Sequence, residues 1–171
     1  MEIEVKFTVN SREDLIRALE VLRGMGYDFV PEGKVRYSDT YYDPGDGGAL
    51  RFREYEGGKI VRTYKRDKRV SNGVVYRVEN EREVSREEML RETRGRTPVL
   101  QTLTVRERFR SGKVELTYDV VWYDDSTQMA FIEVEGPEDE VKRIAEALKG
   151  VGFRPEARSK LEIGLGMKRR V

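Results

Sequence analysis

Met1-Glu2-Ile3-Glu4-Val5-Lys6-Phe7, at the start of the chain, alternates charged and apolar residues. In an extended strand, successive side chains point to opposite faces. Glu2, Glu4 and Lys6 therefore share one face, and Ile3, Val5 and Phe7 share the other. At roughly 3.3 Å of rise per residue, the charged groups stand about 7 Å apart along the strand. The pattern returns as Phe131-Ile132-Glu133-Val134-Glu135-Gly136. Four carboxylates on two matching strands can hold a divalent cation. Alternating charge is equally the mark of the solvated face of an antiparallel sheet.

The composition narrows the chemistry. A chain of 171 residues suits one domain, 1–171, or two halves sharing one core. Charged residues make up 38 %, unusually dense for a globular chain. The 33 Lys and Arg nearly cancel the 32 Asp and Glu, which argues against a general nucleic-acid binder. With no Cys, disulfides, thiolate nucleophiles and Cys-bound zinc are excluded. With no His, the commonest general base, His-based triads and His-ligated metals go as well. Any metal is then oxygen-ligated: Mg²⁺, Mn²⁺ or Ca²⁺. No apolar run approaches the roughly 20 residues of a membrane span, and no signal peptide precedes the first strand. A cytoplasmic protein with no membrane partner is expected. Abundant Glu, Lys and Arg with few Asn and Gln fit a thermophile.

From the first strand the elements follow in order. Ser11 opens a helix with an apolar stripe at Leu15, Ala18, Leu19, Leu22 and Met25, and Gly24 and Gly26 end it. Residues 27–30 form a short extended piece, and 34–43 a strand. The 50–55 and 59–66 segments make a hairpin around Gly57-Gly58. The run 66–69 reads as a basic turn before a strand at 75–81. It is a solvated tip rather than a nucleic-acid site. Ser85 and Glu88 suit a capping box on a short helix to about Arg94. Strands at 99–110, 113–123 and 127–135 follow, then a helix from Pro137 with its stripe at Val141, Ile144, Ala145 and Leu148. A last helical turn starts at Ser159. Trp122 and Phe131 are expected in the core, Asp124-Asp125 in a turn, and Tyr41 and Tyr42 on opposite sheet faces.

The chain repeats itself. Glu2-x-Glu4 leads to a helix ending Gly24-Met25-Gly26-Tyr27, and Glu133-x-Glu135 to one ending Gly150-Val151-Gly152-Phe153. Arg51-x-Arg53, Lys59 and Thr63-Tyr64-Lys65 are echoed by Arg106-x-Arg108, Lys113 and Thr117-Tyr118-Asp119. Two related halves closing into one antiparallel barrel, with helices outside, account for both echoes and leave no exposed strand edge. Strand by strand, one parity then carries Glu2, Glu4, Lys6, Arg51, Arg53, Lys65, Arg77, Glu79, Glu81, Arg106, Arg108, Asp119, Glu133 and Glu135. The other is mainly apolar, though not every strand is clean: Glu54, Arg62 and Glu107 fall on it. The charged parity can face solvent, or it can line the barrel while the helices pack on the apolar outside; parity alone leaves both open. A lined interior cannot be dry, because buried charges need partners. It suits phosphates gripped by Arg and Lys, with carboxylates holding Mg²⁺.

The ordered set resembles the CYTH superfamily, the triphosphate tunnel metalloenzymes, over nearly the whole chain. Glu2-x-Glu4-x-Lys6 is similar to the ExExK signature, Asp39-Thr40-Tyr41-Tyr42-Asp43 to the second-strand motif, and Leu50-Arg51-Phe52-Arg53 to the RxR pair. Lys65, Arg77-x-Glu79-x-Glu81, Arg106-x-Arg108, Asp119 and Glu133-x-Glu135 follow in the family's order. The resemblance implies an α+β fold with an eight-stranded tunnel that binds a triphosphate and Mg²⁺ or Mn²⁺. Lys6, Arg51, Arg53, Lys65, Arg77, Arg106 and Arg108 would contact phosphate. Glu2, Glu4, Asp119, Glu133 and Glu135 would hold metal, with Glu79 and Glu81 in support, and Lys6 and Glu4 would serve catalysis. The chain departs from its relatives at Ser159-Lys160, where many carry Ser-Tyr, and at Arg106, where Lys is frequent. That second change turns a point charge into a fork.

Two reactions fit these residues. A class IV adenylyl cyclase converts ATP to cyclic AMP and pyrophosphate, and the full-length pattern is closest to that branch. A triphosphatase hydrolyses tripolyphosphate, thiamine triphosphate or a nucleoside triphosphate, and needs only ordered water. A non-catalytic triphosphate-binding module is the third reading. The carboxylates argue against it, since anion binding gains nothing from them without a metal. An exposed helix stripe could support a homodimer.

Overall fold

The computed structural model describes residues 1–169. The first half holds β1 (Glu2–Val9), α1 (Arg12–Gly24), β2 (Val30–Tyr42), β3 (Ala49–Tyr55), β4 (Ile60–Ser71), β5 (Val74–Val84) and α2 (Arg86–Thr93). The second holds β6 (Leu100–Ser111), β7 (Val114–Trp122), β8 (Gln128–Glu135), α3 (Glu138–Gly150) and α4 (Lys160–Lys168). All strand pairs are antiparallel, and the sheet closes in the order β1-β5-β4-β3-β2-β6-β7-β8. The two echoed hairpins, β3–β4 and β6–β7, flank β2 on either side. The two Glu-x-Glu strands, β1 and β8, lie side by side, with Lys6 opposite Glu133 and Glu4 opposite Glu135.

Closure decides which parity faces inward. Leu15, Ala18 and Leu22 of α1 and Val141, Ile144, Ala145 and Leu148 of α3 are buried in one cluster with Val5, Phe7, Val74, Leu116, Ile132 and Val134 of the barrel. Met89 of α2 packs with Leu50, Phe52, Ile60 and Val84 in a second cluster. The helices thus take the apolar outside, and the charged parity lines the tunnel. Tyr41 turns into that tunnel, while Tyr42 packs edge-on against Phe52 beneath α2. Glu54, Arg62 and Glu107, charges on the apolar parity, each meet a helix. Glu107 pairs with Arg12 of α1, Glu54 with Arg86 (2.6 Å), and Arg62 donates to both carboxylate oxygens of Glu92 (2.7 and 2.8 Å).

Four local expectations are corrected. Pro31 and Gly33 do not interrupt β2, which begins at Val30. A bulge between them, with Gly33 at φ 120°, absorbs the irregularity against β6. The basic run 66–69 is not a turn but a second bulge inside β4, with Asp67 at φ 55°. The reversal falls at Asn72-Gly73, both with positive φ, as a two-residue hairpin requires. Trp122 is only half-buried. The expected last turn is a full helix, α4, held by a reciprocal capping box between Ser159 and Glu162.

α4 covers the end of the tunnel remote from residue 1. Ile163 packs on Val121 and Phe131, whose side chains share the inward parity beyond the charged layer. Gly164 allows this approach: a Cβ there would lie 2.5 Å from Leu100 Cδ2 and 3.0 Å from Tyr123.

Candidate active site

The tunnel encloses a cavity of about 520 Å³. Of the residues singled out in the sequence, Glu2, Glu4, Lys6, Arg51, Arg53, Lys65, Arg77, Glu79, Glu81, Arg106, Arg108, Glu133 and Glu135 all line it. Asp119 does not; it is fully buried beneath Arg106 and Lys160. Cross-strand register explains the convergence, since residues of like parity on neighbouring strands stand opposite one another. It sets Glu2 against Arg77, Lys65 against Glu79, and Arg106 against Asp119.

The charges sort into two layers. Toward the mouth, carboxylate oxygens of Glu2, Glu79 and Glu135 all lie within 4.8 Å of one another. Lys65 donates to both oxygens of Glu2 (3.0 and 3.2 Å), and Glu135 has no ion-pair partner among the described residues. Burial raises the Glu2 carboxyl, but Lys65 and a hydrogen bond from Glu79 outweigh it and hold Glu2 low. Glu79 is pushed up to about 7, by burial and by sharing that bond with Glu2. Glu135 is pushed up to about 8 by burial and by the facing Glu2 and Glu4. Three converging hard oxygen donors, two of them raised by burial and by their neighbours' charge, fit Mg²⁺ or Mn²⁺.

Deeper in, each half supplies an Arg–Asp fork. Arg53 donates to Asp39 through Nε and Nη2 (2.8 and 3.0 Å), and Arg106 to Asp119 in the same way (both 2.7 Å). Tyr37 lies between the forks, 3.8 Å below the Arg53 guanidinium and 5.5 Å from that of Arg106. Lys160 reaches in from α4 to Asp119 and to Glu133 (3.1 Å). Burial raises Glu133, but Lys160, Arg106 and Lys6 hold it well below the usual carboxylate range. Glu4 is raised, by burial and then by Glu133 and Glu2. Lys6 donates to the Arg158 carbonyl, and burial lowers its ammonium against the pull of Glu133 and Glu4.

The remaining cations are underused by the protein. Arg108 forms no ion pair among the described residues, and the buried Nε atoms of Arg51, Arg77 and Arg108 have no hydrogen-bond partner. Arg77 stands 3.9 Å from Glu2 and 3.7 Å from Glu4, and Arg51 donates to Thr63 (3.0 Å). Unpartnered buried guanidinium donors are costly, so they point to an anion.

Sequence reasoning missed Lys160 as a site residue, because no strand parity places a helical residue in a barrel. The Ser159-x-x-Glu162 capping box was the available signal, since it fixes Lys160 as the first helical residue. Glu83 and Glu115 also line the cavity, and both lie on the charged parity of their strands.

A closed eight-stranded barrel whose interior holds a carboxylate group and an array of cations is the architecture of a triphosphate tunnel. The chain belongs to the CYTH family: the CYTH domain model matches residues 1–158. Solved structures agree. PH1012 from Pyrococcus horikoshii OT3 is 25 % identical, with a TM-score of 0.71 over 95 % of this chain and 98 % of its own. HpAC1 from Hippeastrum, which has a dominant triphosphatase activity, is 22 % identical, with a TM-score of 0.70 over 98 % and 96 %. An adenylate cyclase homologue from Vibrio parahaemolyticus is 17 % identical, with a TM-score of 0.67 over 95 % and 96 %. A search of curated proteins finds no match. No helix among the described residues is long and apolar enough to cross a membrane.

Proposed function

We propose that the protein is a metal-dependent hydrolase of linear triphosphates. The observation that carries this is the pairing, in one cavity, of unpartnered arginine donors with a converging carboxylate group. A cavity that only bound anions would be weakened by Glu2, Glu79 and Glu135. One that only bound a cation would be weakened by Arg51, Arg77 and Arg108. A metal–triphosphate complex uses both. Few lining residues are apolar or aromatic (Tyr41, Ala49, Tyr55, Val61 and Leu161), which leaves little wall to stack a base. That favours hydrolysis over cyclisation, which must also grip an adenosine.

In this reading Arg51, Lys65, Arg77 and Arg108 hold the non-bridging phosphate oxygens. Arg53 and Arg106, fixed by Asp39 and Asp119, set the shape of the inner wall. Glu2, Glu79 and Glu135 would hold Mg²⁺ or Mn²⁺, which neutralises phosphate charge and orients the nucleophile. Water attacks the terminal phosphorus, the bridging P–O bond breaks, and diphosphate leaves. A Glu4 carboxylate oxygen takes the water's proton; its raised affinity for protons makes it a better base than an ordinary carboxylate. Lys6 lies at the inner end, donating to the leaving side or to the terminal phosphate.

Phosphorus NMR of the protein with tripolyphosphate, ATP and thiamine triphosphate, with Mg²⁺ or Mn²⁺, tests the reading. Orthophosphate with a diphosphate product is expected. Cyclic AMP with pyrophosphate would replace it with the cyclase reading. Binding without turnover of any of the three would make the tunnel a binding module.

A further inference from the structure

We infer that Lys160 is a resident cation at the inner end of the tunnel, positioned where a divalent ion would otherwise be drawn, so that the protein holds a single metal ion, at Glu2, Glu79 and Glu135. The inference rests on the metal-dependent reading above and goes beyond it in assigning the metal count and the residue that sets it.

The argument is one of occupied oxygens. Asp119 and Glu133 are the inner carboxylates, and together they offer four oxygen atoms. Arg106 takes both oxygens of Asp119 at 2.7 Å and lies 3.4 Å from Glu133 Oε2. Lys160 takes Asp119 Oδ2 again and Glu133 Oε1 at 3.1 Å. No oxygen of the pair is left without a cation. Lys160 is itself buried, and its ammonium lies against both carboxylates. Its first-turn position in α4 is fixed by the capping box, and its backbone carbonyl accepts from Tyr123 (3.1 Å). The ammonium is therefore placed by the fold rather than drawn in from solvent.

The mouth differs. There Glu2 has one close ammonium, Lys65, which lies 3.9 Å from Glu79; Arg77 is almost 4 Å from Glu2, and Glu135 pairs with neither. A divalent ion entering there meets carboxylates. One entering the inner end meets Lys160, Arg106 and Lys6 at close range, and like charges repel most strongly where water is excluded.

Lys160 could simply anchor α4 on the barrel, so the test must read metal count and not stability alone. Manganese binding is counted by calorimetry and by electron paramagnetic resonance of free Mn²⁺, for the full chain and for Lys160→Gln and Lys160→Arg. One Mn²⁺ per chain is expected for the unaltered protein and for Lys160→Arg, which keeps the charge. Lys160→Gln should bind two, with a melting temperature that is lower without Mn²⁺ and rises more on adding it. Two ions in the unaltered protein overturn the inference while leaving the metal-dependent reading intact. So does a Lys160→Gln protein that binds one ion. If Lys160→Gln folds only when Mn²⁺ is present, that too supports the inference, because the ion then substitutes for the ammonium. No bound Mn²⁺ in the unaltered protein overturns the metal reading itself and this inference with it.

Discussion

Replacing Asp39 by Asn should cost far more than breaking an exposed ion pair, because it strands a buried guanidinium. Asp39 is 1 % exposed and Arg53 5 %. The Arg53 fork makes both of its short contacts on Asp39, and Arg51 adds a second cation at 4.0 Å. Arg53 cannot respond by losing its proton. Burial raises the Asp39 carboxyl, but Arg53 and Arg51 overcome this and keep it below the usual carboxylate range. Removing one member of a buried pair leaves the other uncompensated, at about 3–5 kcal/mol. Asn keeps one acceptor oxygen, which places this change near 3 kcal/mol. For a chain of this length each kcal/mol lowers the melting temperature by roughly 2–4 °C, so a drop of about 10 °C is expected. Urea unfolding followed by circular dichroism gives the free energy directly. Because Arg53 lines the cavity, tripolyphosphate should protect the variant more than the unaltered protein. The exposed Arg110–Glu32 pair (3.0 Å) is the control, and breaking it should cost little. A loss from Asp39→Asn no larger than the control's, with no extra protection by tripolyphosphate, would refute the account of the forks.

Three further outcomes are expected. Arg108→Ala removes a cation that no described residue pairs, so unfolding should change little while tripolyphosphate affinity, measured by calorimetry, falls about 10–100-fold, the worth of a lost charge-assisted contact. Because Glu79 and Glu135 hold protons up to about 7 and about 8, protons compete with Mn²⁺; affinity should climb from pH 6 to 8 and level off above. The same raised values mean that the metal-free fold binds more protons than the unfolded chain, so its stability should fall as pH rises through that window; pH-resolved thermal melts with chelator check the sign. Gly164→Ala drives a methyl group into Leu100 and should destabilise by about 1–3 kcal/mol, with the segment from Ser159 onward cut first in limited proteolysis.

Much of this was legible in the chain because strands of period two write their inside and outside directly into the sequence. Glu2-x-Glu4-x-Lys6 and Glu133-x-Glu135 mark one shared parity on two strands, and the repeat points to closure; parity alone leaves open whether those charges face solvent, which the helices on the apolar side decide. Partnership was not legible. Asp119 reads like the other inner carboxylates, yet its oxygens belong to Arg106 and Lys160 because β6 and β7 set Arg106 directly across from it. Glu79 reads as support but converges with Glu2 and Glu135, since Glu2 sits one step along the wall, opposite Arg77. The bulges at Pro31–Gly33 and Arg66–Arg69 look like breaks in sequence, because a strand that absorbs an extra residue uses the same residue types as a turn.

The barrel also dictates an order of events during synthesis. Its seam joins β1 to β8, so the first strand made must wait for residues 128–135 before one of its two neighbours exists. Until then β1 can pair only with β5, and the apolar undersides of α1 and the early strands have no β7, β8 or α3 to cover them. Loops that long form slowly, and an unpaired strand edge invites other chains. The acidic and basic residues that line the finished tunnel also alternate along those waiting edges. Charges on a strand edge discourage pairing with other chains, so the residues placed for the site also suit the half-made barrel.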